Sequence, residues 1–433
     1  MAWEVRTQAV LEEERSHPAL PLWRRIRQTP THHGVPSVAG AVQEQLARPE
    51  IRASIRPGMR VAVGVGSRGI GCLQEAVRAT VAGLRSLGAE PFIVPAMGSH
   101  GGATPEGQEA LLAGYGVTEA EVGAPIRSGM ETVSIGSVLD GVPLHLSKVV
   151  LDEADAVVPV CRVKPHTDFR YEVESGLHKM LAIGFGKHRG ASTIHTYPLD
   201  RFGEIIEAAG RHVMTRVEVP FGIAIVEDAY EDPGIVEAVP GAAIGTRERE
   251  LLEIAKSWLL RLPFESADVL VVQELGKNIS GAGMDPNITG RFAEPSIPRP
   301  LIVQLLAFLD LTDATHGNAT GMGFAELTTR RVMEKVDVAA TYTNAVTSQI
   351  LSAARVPIVA ETDQELFAIA CSTLRRTPAE RARIAWIRNT LELLELRVSE
   401  PLWAEMRTHE DVVAVGEPEP IRFDRDGTLL VGD

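Results

Sequence analysis

The chain is poor in cysteine. Cys72, Cys161 and Cys371 are the three it has among 433 residues; they lie far apart, and no two form a Cys-x-x-Cys pair. That excludes a disulfide framework and a cysteine-built zinc site, and it leads us to expect a reducing, cytoplasmic setting. Long apolar runs are missing as well. No stretch approaches the roughly 18 uninterrupted apolar residues of a membrane span, so none is expected. The first twenty residues, MAWEVRTQAVLEEERSHPAL, carry charges throughout and lack the apolar segment of a secretory signal. Positive charge is scarce too: 43 Lys and Arg stand against 57 Asp and Glu, a net of −14. Such a field argues against nucleic acid or an anionic membrane as partner, while leaving room for a local basic cluster that holds a small anion.

What is present is a globular composition, 45% hydrophobic and 23% charged, long enough for two or three domains. Residues 1–57 read as a polar, Pro-punctuated helical arm with an apolar-periodic stretch at Val38–Ile51. From Met59 the pattern becomes strand, Gly-rich turn, helix, and repeats. MRVAVGVG precedes the amphipathic LQEAVRATVAGLRSLG, which stops at Gly88. PFIVPAMGSHGG precedes a helix capped by Thr104 with Pro105 in its first turn. ADAVVPVCRVK and FGIAIVEDAYED continue the series. This alternation predicts an α/β fold of parallel βαβ units in two domains, 1–265 and 266–433, with an active-site cleft between them. The second domain holds the strands ADVLVVQELG and LIVQLLAFLDLT and helices near 324–335 and 377–394. The tail at 410–433 reads as a hairpin turning at RDGT, and is expected to return to the first domain.

Ligands of such sheets bind at the carboxyl ends of the strands, so the loops there are the places to look. In GVGSRGIG, Gly64, Gly66, Gly69 and Gly71 resemble a dinucleotide turn, but the next strand ends in PAMGSHGG without the acidic residue that a nicotinamide ribose needs. Arg68 in that turn can clamp a carboxylate or phosphate. His100 sits in a Gly-flanked loop, where a lone histidine is more often solvated or locally hydrogen-bonded than catalytic. The segment Lys164–Pro198 is the richest: His166, His178, His188 and His195 fall within it, accompanied by Lys164, Arg170, Lys179, Lys187 and Arg189. Histidine titrates near neutrality and binds metals, and a basic Gly-punctuated loop suits an anionic, phosphate-bearing ligand; a solvated basic loop is the bland alternative.

GSHGG, KPHTDF, SGLHKMLAIGFG and TIHTYP follow one another in the order and approximate spacing of the functional motifs of the nickel-pincer-dependent lactate racemase family, which the chain resembles from about residue 55 to 265. The resemblance implies a pyridinium-3-thioamide-5-thiocarboxylic acid mononucleotide carrying nickel. On it, Lys179 would attach the cofactor, His195 would ligate nickel, and Gly66, Arg68 and Gly176 would contact the cofactor. His100 and His166 would be the catalytic acid and base, and Arg68 would bind substrate; outside the matched stretch, Lys277 in LGKNISGAGMDP reads either as a surface lysine or as a cation that closes over the substrate carboxylate. The implied activity is racemisation or epimerisation of a 2-hydroxy acid, lactate or a larger hydroxy or sugar acid, with cofactor-assembly enzymes as partners. Two other readings stay open from the residues: a nicotinamide-dependent oxidoreductase using GVGSRGIG, and a binding protein for an anionic metabolite. His316, Asn318, Asp310 and Asp313 read as a satisfied loop, and Cys161 as core.

Overall fold

Arg60–Val65, Glu90–Pro95, Ala156–Arg162 and Phe221–Glu227 are strands buried almost without interruption. Runs of that kind suit a parallel sheet covered on both faces. In the computed structural model, which describes residues 18–66 and 70–432, they pair in the spatial order Glu90–Pro95, Arg60–Val65, Ala156–Arg162, Phe221–Glu227. All are parallel, and Pro233–Pro240 closes the far edge antiparallel. Period-two alternation divides their side chains between two cores. Val61, Val63, Val158 and Val160 pack with the helices Val38–Ala47 and Leu73–Ser86. Ala62, Val157 and Cys161 pack on the other side with Leu177–Phe185 and the helix Phe202–Val213. From Arg60–Val65 the chain moves one way to Glu90–Pro95 and then returns to Ala156–Arg162 on the other side. The loops after these three strands therefore gather where the order reverses, the usual ligand position of a doubly wound sheet.

The second sheet has eight strands in the order Ile358–Ala360, Leu327–Thr329, Ile302–Leu311, Ser266–Leu275, Ile384–Ile387, Glu395–Ser399, Leu22–Gln28, Val412–Pro420. The first five are parallel and the last three run antiparallel to their neighbours. Residues Thr31–Leu260 form one compact unit, and the chain up to Pro30 together with the chain from Arg261 forms the other. The division thus falls five residues before the expected boundary at 265/266, and the second unit also takes in the N-terminal strand.

Three sequence expectations change. Leu22–Gln28, read as part of a helical arm, is a strand held on both sides, with Trp23 and Ile26 fully buried and Arg24 paired bidentately to Glu400 at 2.5 and 2.9 Å. The tail meets the span 1–265 through Leu22–Gln28, which pairs with Val412–Pro420 and belongs to the second unit rather than the first. The stretch 377–394, read as a helix, contains the strand Ile384–Ile387, because pairing with Ser266–Leu275 outweighs a helical spacing of apolar residues. The turn at RDGT is present, with Gly427 at φ 78° between Arg422–Phe423 and Leu429–Leu430. Val38–Ile51 falls in two helices broken at Arg48, with Pro49 opening the second, and Thr104 caps its helix by accepting Gly107 N–H at 3.0 Å.

Candidate active site

The segment after Ala156–Arg162 turns back on itself and supplies most of the site. His166 is fixed from two sides. Its backbone N–H donates to the buried carboxylate of Glu174 at 2.7 Å, and its ring stacks on Phe169 with centroids 4.3 Å apart. Asp168 N–H donates to His166 Nδ1 at 3.1 Å. Because Nδ1 accepts, the neutral ring carries its proton on Nε2. The aromatic contacts continue from Phe169 to Phe202 at 5.7 Å and from Phe202 to the edge of His195 at 5.3 Å. His166 and His195, 29 residues apart in sequence, are thereby joined by two phenylalanines that fix both rings.

Lys179 ends the short helix Leu177–Lys179, and Met180–Gly184 continues it as a π-turn, with Phe185 N–H reaching Met180 O at 3.0 Å. Such turns are frequent at functional sites because they rotate one side chain off the helical repeat. The turn is pressed against the sheet: a Cβ on Gly64 would stand 2.2 Å from the Phe185 ring. A Cβ on Gly66 would lie 3.3 Å from Met180 Sδ, so the strand-end turn and the lysine segment touch. His195 caps the helix Lys187–Ile194, and its Nδ1 donates to Ala191 O at 2.6 Å. Burial is the main cause that lowers the His195 pKa; the Ala191 hydrogen bond and the nearby Asp168 oppose it, and the positive charge of Lys179 adds to it. Lys179, Asp168, His166 and His195 therefore share one neighbourhood.

His100 follows Glu90–Pro95 in a loop docked on this segment. Gly98 N–H donates to Gly184 O at 3.2 Å, and a Cβ on Gly184 would stand 2.6 Å from Ala96 O. His100 Nδ1 donates to Met97 O at 2.8 Å, which leaves Nε2 as the basic nitrogen. The two histidines thus sit in opposite tautomers, each set by a backbone partner.

The remaining expected residues fall elsewhere. Arg68 lies outside the described residues. Gly176 is buried and gives up its Cβ space to Glu248, whose Oε1 would be 2.1 Å from that atom. His178 points away from the site into the core, where its Nδ1 meets Glu248, both side chains being 1% exposed. His188 is exposed. In the other unit, Lys277 Nζ donates to Gly281 O at 2.7 Å and its N–H to Thr315 Oγ1 at 3.2 Å. Asp310 is committed to Lys335 at 2.9 Å and Arg331 at 3.4 Å. An open pocket of about 540 Å³ in that unit, lined by Phe264, Leu301, Arg383 and His409 among others, contains none of the expected site residues. Sequence reasoning passed over Asp168, which stands two residues beyond His166 in KPHTDF, and Gln108, on the helix after the His100 loop. The first could have been found from its place beside the motif histidine; nothing local marked the second.

No protein-family model matches the chain, and no curated protein sequence matches it. Among solved structures, it is similar to the lactate racemase apoprotein from Thermoanaerobacterium thermosaccharolyticum. The TM-score is 0.56 at 14% sequence identity, over 85% of this chain and 99% of that one. The shared feature is the fold, two α/β units with parallel-strand sheets. No helix among the described residues is long and apolar enough to cross a membrane.

Proposed function

We propose that the chain is an isomerase: a nickel-pincer-nucleotide-dependent racemase or epimerase acting on a 2-hydroxy acid. The observation that carries this reading is the ring-to-ring link of His166 and His195 through Phe169 and Phe202, with Lys179 and Asp168 close enough to act electrostatically on His195, beside a sheet whose strand order reverses at the same edge. The residues fit the group. A ligating imidazole must be neutral, and burial favours the neutral form of His195. Its Nδ1–H is spent on Ala191 O, which presents Nε2 as the metal donor, the usual arrangement of a metal-binding histidine. One imidazole beside a planar S-C-S donor set suits Ni(II). Lys179, half-buried next to His195, is the amine for covalent attachment.

When bound, the cofactor would supply a hydride acceptor for C2 of the substrate. The chain's own residues handle the proton and the orientation. His100 Nε2 carries a lone pair and takes the hydroxyl proton; His166 Nε2 carries a proton and donates to the same oxygen from the other side. For the opposite enantiomer the roles exchange, which requires the His166 proton to move from Nε2 to Nδ1 and the Asp168 N–H contact to be given up. Arg68 would hold the substrate carboxylate.

The test is to produce the protein with and without the cofactor-assembly enzymes. Loaded protein should carry a mass increment and nickel, and should interconvert single enantiomers of lactate or of longer 2-hydroxy acids in D2O with the C2 hydrogen retained. Lys179→Ala should abolish the increment. His195→Ala should keep the increment and weaken nickel retention. Free exchange of the C2 hydrogen with solvent would mean carbanion chemistry and would overturn the hydride reading.

A further inference from the structure

Lys187 lies midway between Lys179 and His195 in sequence, yet it faces neither bulk water nor the proposed ligand positions. It is completely buried, with φ at +54°, an uncommon conformation for a side chain of this size. Its ammonium donates to Pro95 O at 2.6 Å and to Gln108 Oε1 at 3.2 Å. Gln108, also completely buried, turns its amide the other way and donates from Nε2 to Gly98 O at 3.1 Å and His100 O at 3.3 Å. The backbone carbonyls at 95, 98 and 100 are thus held by a lysine from the helix that leads to His195 and by a glutamine from the helix after the loop. Burial alone lowers the Lys187 pKa to about 8. A fold does not bury an amine at that cost without need, since a buried methionine would fill the space more favourably.

We propose that Lys187 is a positioning residue: through Gln108 it fixes the loop that carries His100, and so sets the tautomer and direction of the His100 ring relative to the Lys179–His195 segment. This rests on the proposed function for its catalytic meaning but not for its test. Lys187 touches no reacting atom. It couples two loops that would otherwise move independently, because the same helix begins at Lys187 and ends beside His195. Gln108 is the intermediate, since it accepts from the lysine and donates to the loop with the two ends of one rigid amide.

The experiment uses the full-length apoprotein, so neither cofactor nor substrate enters. Lys187→Met keeps the length of the side chain and removes its donors. Gln108→Glu strengthens the contact with Lys187 but replaces the donors to Gly98 O and His100 O by a repelling carboxylate. In both variants, hydrogen exchange of the amides at 97–104 should rise about ten-fold or more as the loop opens locally. The ¹⁵N signals of the His100 ring should lose their Nδ1–H signature, while those of His195, held by Ala191 O, should stay. A folded variant in which His100 and its loop are unchanged overturns the proposal. So does a variant in which the His100 and His195 signals alter together, which would indicate general loosening. If Lys187→Met does not fold, Gln108→Glu and Gln108→Leu decide by the same two readouts. Loaded wild-type protein that turns over no 2-hydroxy acid would overturn the proposed function and leave this result standing.

Discussion

Two loops of this molecule look alike in sequence, GSHGG around His100 and THGNATG around His316. Each places a histidine among glycines after a parallel strand. Within the His316 loop the closing bonds are neutral: Thr315 Oγ1 donates to Asn318 O at 2.8 Å, Asn318 Oδ1 accepts Thr320 N–H at 3.2 Å, and Thr341 Oγ1 accepts Ala319 N–H at 3.0 Å, while the ammonium at its base, Lys335, is partly exposed and paired with Asp310 and Asp313. His316 itself adopts φ 49° and serves as a turn residue. The His100 loop is held instead by a buried ammonium and a buried amide reaching in from two other elements. Neutral turn chemistry stabilises a loop cheaply; a buried charge costs stability and is kept where one geometry must be enforced. On the proposed function, the first loop serves the site and the second serves the fold.

The largest expected effect breaks this comparison outright. In loaded enzyme, His100→Ala and His166→Ala should each lower turnover by roughly 10²–10⁴-fold, the ordinary contribution of a general acid or base, and both should retain nickel. His316→Ala should leave turnover within about two-fold of wild type, with stability changed by no more than a surface substitution changes it. Steady-state rates on a single enantiomer check all three; equal losses in His100→Ala and His316→Ala would erase the distinction.

Next in size is the buried pair that shares the lysine motif but not its chemistry. Glu248→Ala removes the partner of His178 Nδ1 and also the acceptor of His178 N–H at 3.3 Å. Breaking a buried pair from one side costs about 3–5 kcal/mol, which a urea melt would read as a lower midpoint. A comparable shift in His188→Ala, whose ring is exposed, would show that the two histidines are not differently placed.

The lysine clamp predicts a pH dependence of similar or smaller size. Lys187 is depressed to about 8 in the folded chain from the ordinary 10.5. Between those values the unfolded chain binds the extra proton, so stability rises as pH is raised through the window and is flat below it. Relative to Lys187→Met, wild type should gain up to about 3 kcal/mol from pH 8 to pH 10.5, measured by denaturant melts at matched ionic strength. A gap between the two proteins that does not change over that range would show that the amine is not buried in solution. The smallest effect concerns shape alone. Gly64→Ala would press a methyl group into the Phe185 ring and should cost about 1–3 kcal/mol. Gly71→Ala, with open space around it, should cost little.

The apolar runs of the parallel sheet were legible because each strand is buried on both faces and so needs no alternation. The Thr104 cap and the turn at Gly427 were legible because side-chain chemistry alone sets them. Leu22–Gln28 was not, since LWRRIRQ is polar enough for a helical arm and becomes a strand through partners nearly 400 residues away, such as Arg24 with Glu400. Ile384–Ile387 was misread for the same reason. In the site, the histidines of KPHTDF and TIHTYP could be singled out, but no local pattern tells that His178 turns inward to Glu248 and is fully buried while Lys179, one residue on, is only half-buried. That choice is made by the close approach of Glu248 over Gly176, a contact between residues 72 apart.

The placement of Leu22–Gln28 has a consequence for synthesis on the ribosome. Chains emerge at about 5–20 residues per second, N-terminal part first. The unit Thr31–Leu260 can close while translation continues, but Leu22–Gln28 must wait for Glu395–Ser399 and Val412–Pro420 before either of its edges is paired. Until then Trp23 and Ile26, both fully buried in the finished sheet, stay exposed on an unpaired strand. The nascent chain therefore carries an aggregation hazard at this strand until its partners are made, and a stall anywhere before residue 395 leaves it without one.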